Sequence, residues 1–295
     1  MRGALAAALF VAACNADVPR GGKAADAPIA PPAVDAGDAD GLRVTDPGAE
    51  PRLVRRYAFA SGQPERRVLT IQQSMTGAER ALSFSLGVDA NVRGTKLELK
   101  LASVHMEDAR PEVEQELARA IGTIGVADVS PRGELGDLEL TPTVLHSEVA
   151  ADVVTEGMRQ LAELLVLRLP DVPVGAGATW EMRHESNRDG IRAVQTTRYQ
   201  LARVDGGGGT VSSAVSIELP KTPLPERKDR PRGTIAVSAS GAYIWELRWA
   251  GVATHVEGSM TTTQTLELEG QPPQVQAVTS KHSIASRRAD ATESP

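Results

Sequence analysis

Lys96-Leu97-Glu98-Leu99-Lys100-Leu101 alternates strictly between charged and apolar side chains. Only an extended strand, with its side-chain period of two, puts the three leucines on one face and the charges on the other. A helix would scatter them around its axis. The same period runs outward from this stretch. Leu82, Phe84, Leu86 and Val88 share a face before it, and Val211, Val215, Ile217 and Leu219 share one far after it. One apolar and one polar face is the signature of half-buried strands in an antiparallel sheet. Further strands are expected at Leu53 to Ala60, Arg66 to Met75, Ala178 to Glu185, Ile191 to Val204, Thr234 to Ala239, Tyr243 to Ala250, Thr254 to Glu269 and Val275 to Ile284. Turn chemistry predicts breaks at Asp89-Ala90-Asn91, Asn187 to Gly190, Asp205 to Gly209 and Ser240-Gly241. A hairpin is expected around Ser130-Pro131-Arg132-Gly133.

Two segments break the period of two. Pro111 to Ile121 predicts a short helix, with Pro111 suited to a first turn and Glu112, Glu114 and Glu116 near the positive end of the dipole. From Ser147 to Leu167, residues Val149, Val153, Val154, Met158, Leu161, Leu164 and Leu165 form one stripe opposed by Glu148, Asp152, Glu156, Arg159, Gln160 and Glu163. Ser147 is the expected cap and Pro170 the expected stop. A sheet with one apolar face must cover it, and a long amphipathic helix is an economical cover. The expected fold is therefore mainly β (α+β): a curved antiparallel sheet or half-barrel covered by one long amphipathic helix and one short helix.

This order of elements resembles the half-barrel of bacterial lipoprotein carriers of the Lol type and of related uncharacterised envelope lipoproteins, which hold an acyl chain or another apolar ligand. The run Leu169-Pro170-Asp171-Val172-Pro173-Val174-Gly175-Ala176-Gly177-Ala178-Thr179-Trp180 resembles a helix-exit motif, Pro-x-x-Pro-Val-Gly-x-Gly-x-x-Trp, of such lipoproteins. The resemblance spans Leu53 to Ile284 and carries over no catalytic or ligand residue.

Cys14, the chain's single cysteine, follows Arg2 and the apolar run Ala4 to Ala13. A charged start, a short apolar core and small residues before the cut describe a secretory signal too short to span a bilayer. Val11-Ala12-Ala13-Cys14 resembles the bacterial lipobox, in which cleavage exposes the cysteine for acylation. Residues 1–13 are read as that signal, and residues 14–51, rich in Ala, Pro, Asp and Gly, as an acylated cysteine and disordered tether. The tether spans roughly 35 Å as a random coil. Residues 52–286 form the β-rich envelope domain and 287–295 a disordered tail. Asn15 after the cysteine points, by enteric sorting rules, to a periplasm-facing position at the outer membrane.

Catalytic signals are missing from the sequence. His105, His146, His184, His255 and His282 are scattered and read as exposed strand or cap residues. No nucleophile elbow, P-loop or dinucleotide fingerprint occurs, and Gly206 to Gly209 lacks the Lys-Ser/Thr of a phosphate cradle. A net charge of −6 argues against nucleic-acid binding. With aromatics at 3%, the in-phase set Tyr243, Trp245 and Trp249 stands out. Core packing is one reading of it. The sharper one is an apolar ligand wall built from Leu161, Leu165, Trp180, Tyr243, Trp245 and Trp249. The expectation is a non-enzymatic protein without cofactor or metal, held to the membrane by acyl chains on Cys14. It would bind a lipid, another apolar ligand or an envelope protein partner; the alternative is a structural lipoprotein with a closed core.

Overall fold

Leu97, Leu99 and Leu101 are all fully buried, and their strand lies well inside one continuous antiparallel sheet. The computed structural model describes residues 41–60, 64–78, 80–141, 145–188, 191–224 and 232–286. Among these, twelve strands run in the spatial order β1-β7-β8-β9-β10-β11-β12-β2-β3-β4-β5-β6. The strands are β1 (Leu42–Asp46), β2 (Glu65–Met75), β3 (Leu82–Arg93), β4 (Lys96–Met106), β5 (Ile124–Asp128), β6 (Glu139–Leu140), β7 (Thr179–Arg188), β8 (Ile191–Val204), β9 (Gly208–Pro223), β10 (Gly233–Arg248), β11 (His255–Leu268) and β12 (Gln274–Ser286). Two helices, α1 (Pro111–Arg119) and α2 (Glu148–Leu165), complete the described elements. The mainly β class, one antiparallel sheet with two helices, is thus the one expected.

The order of strands dictates where α2 must go. Strand β6 lies at one edge of the sheet and β7 next to the other, so the chain between them has to cross the sheet. A helix with one apolar stripe crosses best on the apolar face. Ser147 caps α2 by accepting from Ala150 N at 3.3 Å. Gly157 then lets the helix settle on β3, where a Cβ would lie 2.8 Å from both methyls of Leu86. At its C-terminal end α2 reaches the far half of the sheet. Leu164 O accepts from Trp245 Nε1 at 3.1 Å, and Leu165 O accepts from Ala253 N at 2.8 Å.

Several expectations are corrected. Residues 42–51 were assigned to the tether, yet β1 pairs with β7, Leu42 is 2% exposed, and Leu53 pairs with Val174. The Ala, Pro and Gly around it masked a strand only five residues long. Residues 53–60 form no strand; Tyr57, Ala58 and Ala60 donate their amides to Pro131, Trp249 and Ala250 instead. Ser240-Gly241 is no turn, because β10 runs unbroken and Gly241 serves close approach: a Cβ there would meet Ser259 O at 2.6 Å. Asp89 lies inside β3, held by Arg66 across the ladder at 2.6 Å, and the actual turn falls at Gly94, with φ +62°. Helix α2 ends at Leu165, before Pro170, because Val166 is already extended. The signal, the residues up to 40, Cys14 and the tail 287–295 lie outside the described residues.

Candidate functional site: a groove between the helix and the sheet

Burial on the inner face falls off in steps along the strands. One transverse row, Leu201, Val211, Trp245, Val256, Ile284, Leu69 and Leu86, is set by register across seven strands and lies buried in the core. The next row on this face runs through Trp180, Tyr199, Ser213, Tyr243, Gly258, His282 and Ile71. Beyond it, Val215 and Met260 on the same face are only half-buried. Here the flank of α2 stands off the sheet and leaves a cavity of about 410 Å³. Its floor is Thr197, Tyr199, Val215, Ile217, Tyr243, Trp245, Met260 and His282; its far side is Gln160, Glu163 and Leu164 of α2 with Arg168 and residues 133–138.

A ring-on-glycine contact builds the floor's polar point. Gly258 stands directly opposite Tyr243, and a Cβ there would lie 2.2 Å from Tyr243 Cδ1. Only glycine lets the ring lie flat across β11, so that the phenol reaches β12 and meets His282 Nδ1 at 3.1 Å. The two rings are 5.8 Å apart. Burial pushes the His282 imidazole down from 6.5 to about 4 and the Tyr243 phenol up to about 12. The imidazole is therefore neutral at neutral pH. Burial also raises Tyr199 to about 12, and its ring stacks on Trp180 at 5.4 Å.

The residues expected to wall a ligand site separate into two groups. Tyr243 and Trp245 face the cavity, whereas Leu161 and Leu165 are fully buried in the core under α2. The helix stripe is spent on the sheet, so the cavity meets the helix flank, at Gln160 and Leu164. Trp180 is buried behind Tyr199 and does not line the cavity. Trp249 lies past the end of β10, beside Tyr57 at 6.4 Å, with its Nε1 donating to Asp205 O at 3.2 Å. His282 is the residue missed. It is 6% exposed rather than a surface histidine, and its parity with Val278 and Ile284 was the available signal. His184 also lines the cavity.

Among the described residues, no group of three His, Cys, Asp or Glu side chains is arranged to hold a metal, and no helix is long and apolar enough to cross a membrane. No protein-family model matches the chain, and comparison with curated sequences returns no match. A solved structure titled "Lipid-protein interactions in lipovitellin" is similar over 80% of this chain and 26% of that one, at 12% identity and a TM-score of 0.47. The chain thus spans about a quarter of that protein's length.

Proposed function

We propose that this is a lipid-anchored protein of the bacterial envelope that binds an apolar ligand, without catalysis, in the groove between α2 and the sheet. One observation carries the reading: the helix covers only part of the apolar face, and the uncovered part encloses about 410 Å³. Cavities of about 300–1,000 Å³ with apolar walls and a few polar groups are the usual form of small-molecule sites. The lipobox-like Val11 to Cys14 supplies the anchoring half of the proposal. The closed-core alternative draws on the fully buried row through Trp245 and fits the half of the sheet beneath the helix stripe.

Two measurements test the halves separately. Cys14→Ser should move the protein from carbonate-washed membranes to soluble or unprocessed fractions, since acyl chains, at about 0.8 kcal/mol per buried methylene, are the proposed anchor. Unchanged retention contradicts the anchor. The full-length, non-acylated Cys14→Ser protein should bind the uncharged dye Nile red with saturable fluorescence. An absence of saturable binding leaves the closed-core reading ahead.

A further inference from the structure

The charges around the cavity are arranged unevenly. The strand-borne floor, from Thr197 and Tyr199 through Val215 and Ile217 to Tyr243 and Met260, carries no Asp, Glu, Lys or Arg. His282 joins it, and burial holds that imidazole down at about 4 and so uncharged at neutral pH. The charged side chains of the lining lie outside β8 to β12, on α2, on residues 133–138, at Arg168 and at Arg183 of β7, and its three arginines are paired. Arg159 pairs with Glu156, Arg168 with Glu134 at 3.3 Å and Arg183 with Glu185 at 3.1 Å. Asp137, exposed beside Glu134, adds negative charge at the same rim. A carboxylate or phosphate entering the groove would find no cation on the strand floor from β8 to β12, and the nearest guanidinium, Arg168, whose charge is felt by Tyr199, is already paired with Glu134 at 3.3 Å. Burying an unpaired charge is far costlier than burying a hydrogen-bonded neutral group.

The groove nevertheless offers hydrogen bonds. The Tyr243 hydroxyl and His282 Nδ1 share one proton across 3.1 Å. If tyrosine donates, the histidine Nε2–H is left over; if histidine donates, the tyrosine O–H is left over. Either way one donor of the pair remains, and both side chains line the cavity. From the helix side, Gln160 donates to Glu156, and its Oε1 is buried without a partner among the described residues. A neutral group with both an acceptor and a donor, such as a hydroxyl, complements these two.

Resting on the apolar-ligand reading, we infer that the groove takes an uncharged amphiphile: an acyl or alkyl chain along the strand floor, with a hydroxyl-bearing head held by the Tyr243–His282 pair and Gln160. Nile red bound to the full-length Cys14→Ser protein would be displaced at pH 8 by monomyristoylglycerol, myristic acid or tetradecylamine, each kept below its aggregation concentration. The expected result is displacement by the monoacylglycerol at about tenfold lower concentration than by the acid or the amine, as an unpaired buried charge demands. Tyr243→Phe, which keeps the ring, should shrink that advantage to about threefold or less while leaving displacement by the acid unchanged. Myristic acid or tetradecylamine competing as well as the monoacylglycerol overturns the inference and leaves the apolar site standing. Failure of Nile red to bind overturns the site itself.

Discussion

His282 on β12 and Tyr243 on β10 hold each other in place across β11, and the imidazole makes their contact sensitive to pH. In the unfolded chain the imidazole titrates near 6.5, whereas burial lowers it to about 4 in the fold, so between those values the unfolded chain binds the extra proton. Stability is full above about pH 6.5 and is lost as pH falls toward 4, by about 3 kcal/mol in all. Urea midpoints at pH 7.5 and pH 5 should therefore separate for the wild type, and His282→Gln should flatten that separation; an equal slope in the variant refutes the assignment. At this scale the sequence was partly legible. The parity of Tyr243 and Trp245 placed both on the inner face, and the same parity applied to Val278, His282 and Ile284 places the histidine there too. What parity cannot show is how a ring leans. The Tyr243–His282 contact depends on the missing side chain at Gly258, one strand away in space and fifteen residues away in sequence.

Helix α2 does two jobs with two of its faces. Its stripe, with Leu161 and Leu165 fully buried, closes the core, and its flank at Gln160 and Leu164 borders the cavity. Leu161→Asp should then cost several kcal/mol in urea denaturation, since the charge has no partner in the core. Leu161→Ala should cost about 2–5 kcal/mol by leaving a cavity, with little change in Nile red affinity; a large loss of binding at unchanged stability would place Leu161 in the site after all. The N-terminal strap formed by residues 47–51 is the second element with a decisive contact. A Cβ on Gly175 would lie 1.8 Å from Ala49 O, which is backbone, so Gly175→Ala must push the strap or the 174–178 segment aside. It should destabilise by about 1–3 kcal/mol, whereas an unchanged midpoint would mean that residues 47–51 do not pack on the domain. The helix stripe and the strands with clean alternation were legible because one sequence pattern fixes one face. Strand β1 was not, because five residues that bury little besides Leu42 carry too short a pattern to compete with the Pro, Gly and Asp around them.

The whole molecule follows from a routing constraint. A twelve-stranded open sheet whose β6 and β7 lie toward opposite edges forces the intervening chain over the inner face. An α2 of 18 residues is about 27 Å long, while strands are spaced about 4.8 Å apart. Such a helix covers only some of the ten strand intervals between β6 and β7, and the cavity lies over the strands beside it, from β7 to β12. The sheet class was legible from alternation alone; the strand order was not, since pairing of β12 with β2 joins residues about two hundred positions apart and leaves no local trace. The central claim is that this uncovered part of the face is filled by a ligand in the cell. Native mass spectrometry of the protein purified from the cells that make it, compared with a Val215→Trp variant that fills the cavity floor, tests it most directly. The account predicts that the wild type carries a discrete non-covalent adduct removed by organic extraction, absent from Val215→Trp at a comparable urea midpoint. A wild type free of adduct, or an adduct of equal occupancy in both proteins, would contradict it.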